Sequence, residues 1–318
     1  MTDYLILIAG LAILFVGGDI LIRGAVGVAE KLHVPPLIIG LTIVAMGTSA
    51  PELMVSLKAA HDGAGGLSIG NVIGSNLANV LLVLALPSLI AATACREPGV
   101  GRNIAVMIAI TIVFMGTLAD GDLDRADGII LLVLLGLFLF DQFRSALKHR
   151  RSAKRQSHDY PGELGKAPHS PPIIAAMLIG GLISLPVAAD LTVRGATGIA
   201  QHWGVSEEVI GLTIVAVGTS LPELAASLLA VIRKHSSVAL GNVVGSNIFN
   251  IGLIMGLTAL LEPGIRVADH VVRIDMWIML ASALLIAVLA WRRAVIGKVL
   301  GTAMLLAYAV YTVLLFLT

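Results

Sequence analysis

The chain has 318 residues, of which 57% are hydrophobic and 13% charged, with a mean hydropathy of +0.96. A soluble domain carries about 25% charged residues, so this composition excludes an ordinary soluble globule and points to an integral membrane protein built from apolar spans of about 20 residues. The formal net charge of +1 gives no reason to propose a nucleic-acid partner, and the single cysteine, Cys95, has no intrachain partner for a disulfide.

The N-terminus, Met1-Thr2-Asp3-Tyr4, lacks a basic n-region, so the first apolar stretch is expected to remain as a membrane helix. Ten helical spans are predicted, near 3–28, 35–60, 68–92, 102–119, 127–146, 171–199, 207–232, 238–260, 271–291 and 296–317. The expected fold is therefore an all-α integral membrane protein with ten transmembrane helices. Span one carries Asp19 and Arg23, which recur in span six as Asp190 and Arg194. Both pairs have the i, i+4 spacing of a helical ion pair. These two spans have few other polar residues and are the expected moving pair.

Span two contains Ile39–Ala59, and span seven contains Ile210–Ala230; the two segments agree at 16 of 21 positions with a constant offset of 171. Each copy reads G-T-S-x-P-E-L and sets one glutamate, Glu52 or Glu223, in apolar surroundings. A carboxylate in hydrocarbon is costly and marks a functional site. Thr48 and Ser49 precede Glu52 by one helical turn, as Thr219 and Ser220 precede Glu223. Pro51 and Pro222 lack an N–H and clash with the carbonyl four residues back, so each helix is expected to break there. Carbonyls around Ala45–Gly47 and Ala216–Gly218 then become candidate oxygen donors, because backbone groups in lipid need a partner.

Spans three and eight repeat G-N-V-x-G-S-N-x-x-N at the same offset. They contribute Ser75 with Asn79, and Ser246 with Asn250, each pair on one helix face. The four segments together supply carboxylate, hydroxyl, amide and carbonyl oxygen, with neither thiolate nor imidazole. Hard cations such as Na⁺ and Ca²⁺ prefer such a set, Ca²⁺ taking about 6–8 oxygens. The histidines fall in loops or near span ends, which disfavours a soft-metal site in the core.

Between spans five and six lies a polar stretch with Lys148, Arg150, Arg151, Lys154, Arg155 and Lys166. It divides the chain into an N-terminal five-helix repeat (1–147), a basic linker (148–170) and a C-terminal five-helix repeat (171–318). Basic loops stay cytoplasmic, so the linker is expected inside and both termini outside, in the plasma membrane. Of the 21 lysines and arginines, all but Lys58, Arg125, Arg194, Arg266 and Arg273 fall on the linker's side in this layout. Five spans per half is an odd number, so the second copy enters the bilayer from the opposite side, an inverted-topology repeat. The run Asp120–Asp127 resembles the start of an EF-hand loop but has Arg125 where the glycine belongs and Leu131 where the closing glutamate belongs. It reads as a hydrophilic external turn.

The duplicated G-T-S-x-P-E-L and G-N-V-x-G-S-N-x-x-N motifs resemble the alpha-repeats of the sodium/calcium exchangers, in the calcium/cation antiporter superfamily. The resemblance implies a ten-helix fold with four cation sites between the repeats, Na⁺ and Ca²⁺ as transported ions, no cofactor and no enzymatic activity. It implies Glu52 and Glu223 as central ligands and Thr48, Ser49, Thr219 and Ser220 as hydroxyl or carbonyl ligands. Ala45 and Ala216 match backbone-carbonyl ligands, and Ser75, Asn79, Ser246 and Asn250 match positions on the third and eighth helices. Asn250 departs from exchangers that carry Asp there, which leaves the Na⁺:Ca²⁺ ratio and proton coupling open. The alternatives are a proton/calcium exchanger of the same superfamily, a passive cation channel, and a membrane enzyme. The last lacks any H-E-x-x-H or G-x-S-x-G motif. A monomer is compatible with this reading, and the sequence does not define the oligomeric state.

Overall fold

A computed structural model describes residues 2–95, 97–156, 170–204 and 216–315. Part of the linker, 157–169, and the opening of span seven, 205–215, lie outside the described residues. The elements are α1 (Thr2–Leu32), α2 (Pro36–Thr48), α3 (Ala50–His61), α4 (Gly65–Ser88), α5 (Val100–Thr117), α6 (Arg125–Gln156), α7 (Pro171–His202), α8 (Ala216–Thr219), α9 (Leu221–Ile232), α10 (Ser236–Leu261), α11 (Val271–Trp291) and α12 (Lys298–Leu315). Seven of these helices are long and apolar enough to cross a membrane, or eight if the bent pair α2–α3 is one span. Two further apolar helices, α9 and α12, are shorter than a span.

Among the described residues the regular structure is helical except for four two-residue strands, which the all-α expectation lacked: β1 (Thr93–Ala94), β2 (Asp122–Leu123), β3 (Ile265–Arg266) and β4 (Val295–Ile296). β1 pairs antiparallel with β4, and β2 with β3. In the 171-residue repeat, β1 and β3 fall at nearly corresponding places, as do β2 and β4, so each strand pairs with the counterpart of its neighbour in the other half. Beside β2, Asp124 and Asp127 exchange main-chain to side-chain hydrogen bonds of 2.9 and 3.0 Å. This reciprocal cap opens α6. The Asp127 N–H holds the Asp124 carboxyl below the usual carboxylate range. Helix α6 then runs to Gln156, nine residues into the stretch expected as linker.

Burial sorts the helices. In the most apolar windows of α4 and α10, 72% and 83% of residues are buried, against 33% for α1 and 28% for α7. The motif-bearing α4 and α10 therefore form the centre, and α1 and α7 lie outside with Leu5, Ile8, Phe15, Ile179 and Ile183 exposed. Helices α1 and α7 pack along each other. A Cβ on Gly24 would stand 2.7 Å from the Leu178 nitrogen, and one on the equivalent Gly195 2.5 Å from the Leu7 nitrogen. Such small residues let membrane helices approach closely without a hydrophobic drive between them. The i, i+4 ion pairs form as expected, Arg23–Asp19 at 3.2 Å and Arg194–Asp190 at 2.9 Å. Asp19 also pairs with Arg233, which ties α1 to the end of α9.

Candidate functional site

The proline break is where the site begins. Helices α2 and α3 meet at 43°, with Ser49 (φ −80°, ψ 7°) between them and Pro51 in the first turn of α3. The second copy repeats this: Ser220 (φ −88°, ψ 5°) separates α8 from α9, with Pro222 in the first turn. Each break sets a glutamate in the first turn of the following helix, and Glu52 and Glu223 are both fully buried.

The broken helices do not strand the carbonyls expected as donors. The Ala45 carbonyl accepts the Ser49 N–H at 3.0 Å, and the Gly47 carbonyl also accepts a backbone N–H at the cap. A carbonyl has two lone pairs; the Thr48 hydroxyl, at 3.4 Å, also faces that of Ala45, and one remains on that of Gly47. In the second copy the Ser220 N–H turns to Val217 O at 3.1 Å, a tighter break. Ala216 is the first residue of α8, and Thr219, half-buried, is its last.

Side chains cross between the halves. Ser49 Oγ donates to Glu223 Oε1 at 3.2 Å, and Thr48 Oγ1 donates to Asn242 Oδ1 at 3.2 Å. Ser49 stands one turn from Glu52, so the two carboxylates share one enclosure. Asn242 Nδ2 donates to the Glu223 main-chain carbonyl (3.3 Å) and to Ser227 Oγ (3.1 Å). Asn71 does the same to the Glu52 carbonyl (3.3 Å) and to Ser56 Oγ (2.9 Å). Each asparagine thus pins the first turn of the helix that carries a carboxylate.

Asn79 and Asn250 begin short π-helical stretches, 79–83 and 250–255. A π-turn adds a residue and re-aims the side chains around it, and such turns recur at functional sites. Ser75 is buried on α4, and Ser246 is buried on α10.

The predicted set holds most of the uncompensated buried polarity. Among the described residues, eleven buried side-chain atoms have no hydrogen-bond partner. Seven are oxygens of predicted site residues: both carboxylate oxygens of Glu52, Glu223 Oε2, Asn79 Oδ1, Asn250 Oδ1, Ser220 Oγ and Ser246 Oγ. A buried acceptor without a partner costs about 1–3 kcal/mol, more when charged. Seven of the eleven thus belong to the predicted set. Among the described residues no third carboxylate, imidazole or thiol joins the two glutamates. The site offers oxygen only.

The sequence pattern alone does not single out Asn71, Asn76, Ser56 and their counterparts Asn242, Asn247 and Ser227. All six recur at the 171-residue offset, and that recurrence is the one signal of them in the chain. The small-xxx-small glycines of the second copy are close-packed: a Cβ on Gly241 or Gly245 would stand 2.7 Å from Leu37 O or 2.6 Å from Leu41 O.

A bundle of apolar helices that encloses two carboxylates among amide and hydroxyl oxygens defines a membrane protein that handles hard cations. The chain belongs to the sodium/calcium exchanger protein family, which matches residues 2–144 and 173–317. It is 39% identical to the proposed antiporter CaxA of Alkalimonas amylolytica over 97% of both chains. It is 37% identical to the inner membrane protein YrbG of Escherichia coli K12, over 91% of this chain and 89% of that one. Among solved structures it is similar to the sodium-calcium exchanger NCX_Mj, with TM-score 0.81 and 33% identity over 97% of each chain. The protein is thus a multi-pass membrane antiporter of the sodium/calcium exchanger superfamily.

Proposed function

We propose that this antiporter exchanges Na⁺ for Ca²⁺ by alternating access, with Glu52 and Glu223 as central ligands shared by the competing ions. The observation that carries the reading is the set of seven buried oxygens without a protein partner, drawn from residues of both halves. Thr48, Ser49, Thr219, Ser220, Ser75 and Ser246 add hydroxyl oxygens, Asn79 and Asn250 add amide oxygens, and Ala45 and Ala216 add main-chain carbonyls. The kinship with sodium/calcium exchangers favours Na⁺ as the counter-ion.

The working unit is two inverted repeats, 1–147 and 171–318, joined by the cytoplasmic linker 148–170. Ten spans cross the cell membrane and leave both termini outside. The crossed strand pairs and the duplicated hydrogen bonds of Asn71 and Asn242 support the pseudo-two-fold relation. Inverted repeats exchange roles between inward-open and outward-open states. Helices α1 and α7, peripheral and packed on each other through small residues, slide against the central α4 and α10. An empty doubly charged site is costly inside a bilayer, so the site moves loaded and leak is suppressed.

A proton-coupled reading also has support, in that two carboxylates that release Ca²⁺ can each take up a proton. The deciding experiment is radioactive-calcium uptake into Na⁺-loaded proteoliposomes diluted into Na⁺-free or Na⁺-matched buffer at fixed pH. Uptake only down the Na⁺ gradient is expected. Uptake that ignores Na⁺ and follows a pH gradient would move the protein to proton coupling. Glu52→Gln and Glu223→Gln are each expected to abolish the flux, and wild-type flux in either would remove the shared-ligand assignment.

A further inference from the structure

Four asparagines form two bonds that are the same bond in each half. Asn79 Nδ2 donates to Asn247 Oδ1 at 3.1 Å, and Asn250 Nδ2 donates to Asn76 Oδ1 at 3.1 Å. Positions 76 and 247, and positions 79 and 250, are related by the 171-residue offset. In both cases the amide nitrogen of the site residue is engaged with the other half, and its oxygen is one of the buried acceptors without a partner.

A carboxamide has one donating end and one accepting end. Which end faces a cation is decided by what holds the other. Asn247 Nδ2 donates to the main-chain carbonyl of Asn76 at 3.4 Å. That carbonyl can only accept, so Asn247 must turn its oxygen to Asn79. Asn79 answers with its N–H, and its own oxygen is left facing away. On the other side, Asn76 Nδ2 faces the thioether of Met279 at 3.6 Å. Sulfur there is also an acceptor, so Asn76 turns its oxygen to Asn250.

We infer that Asn76 and Asn247 are positioning residues, which fix the amide orientation of Asn250 and Asn79 so that a cation meets only oxygen at these two positions. The inference rests on the cation-site reading above and adds to it the means by which the site stays selective for hard cations. The reverse orientation would set two NH₂ groups, positive at hydrogen, beside the carboxylates. It would repel the ion and offer Glu52 and Glu223 donors that compete with it. Residues outside the ligand shell that orient ligands are worth about 10–100-fold in metal affinity.

The test compares two backgrounds in Na⁺-driven calcium uptake. Asn76→Ala alone is expected to raise the half-saturating Ca²⁺ concentration by about tenfold or more, with maximal rate changed less. In an Asn250→Asp background the side chain presents oxygen whichever way it turns, so Asn76→Ala is expected to cost less than about threefold there. The same factor in both backgrounds, or an unchanged half-saturation in the single variant, would overturn the orienting role. If Asn76→Ala does not fold, Asn247→Ala with and without Asn79→Asp makes the same comparison in the other half. Glu52→Gln separates the two levels. Loss of flux there beside an indifferent Asn76→Ala refutes the positioning role alone, and wild-type flux there removes the cation site itself.

Discussion

A carboxylate enclosed in an apolar bundle persists only where neighbours or a bound ion compensate it. Here the compensation crosses between halves: Ser49, from the first broken helix, reaches the Glu223 of the second at 3.2 Å. Ser49→Ala is therefore expected to weaken calcium half-saturation about tenfold while leaving the protein folded. Calcium-dependent uptake together with a thermal melt would check it, and an unchanged half-saturation would place Ser49 outside the ion's surroundings. Glu52 and Glu223 are legible in the sequence because an acid repeated in two apolar segments is too costly to be incidental. Asn76 and Asn247 stand in the same repeats without that mark. An asparagine reads equally as ligand, cap or orienting group until its partner is known, and the partners here lie in the opposite half. Helical spacing sets Thr48 and Ser49 on one face with Glu52; that their hydrogen bonds go to Asn242 and Glu223 is a tertiary fact that periodicity does not contain.

At the scale of elements, proline chemistry makes the helix breaks legible, and the structure puts them at Ser49 and Ser220. The π-turns at Asn79 and Asn250 are not legible, since an inserted residue leaves the apolar pattern of a buried helix nearly unchanged. The two-residue strands escape for a related reason: pairs so short have no period to read, and their partners are far away in sequence. Close packing of α10 on α2 rests on small residues. Gly245→Val would drive a Cβ to 2.6 Å from the Leu41 carbonyl oxygen. Backbone cannot step aside as a flexible side chain does, so a loss of about 1–3 kcal/mol is expected. A thermal melt of this variant in detergent checks it, and a melting temperature equal to wild type would contradict it.

Across the whole molecule, charge decides what can be exchanged. Among the described residues the enclosure contains two carboxylates, Glu52 and Glu223, and the site positions Asn79 and Asn250 are both neutral amides. One Ca²⁺ balances this charge, and so do two monovalent ions, whereas three Na⁺ would leave one positive charge in a low-dielectric site. Carrying one net charge through about 100 mV is worth about 2.3 kcal/mol, so the stoichiometry fixes how the membrane potential acts on the cycle. The arrangement favours two monovalent ions per Ca²⁺ and an exchange nearly indifferent to voltage. Proteoliposomes held at set potentials with a potassium ionophore are expected to show calcium uptake that tracks the Na⁺ gradient alone. Asn250→Asp adds a third acid, so it is expected to admit a third Na⁺ and make uptake sensitive to potential. Uptake that already follows the imposed potential in the wild type would mean that a third cation binds without a third carboxylate, and that the amide oxygens held by Asn76 and Asn247 coordinate it.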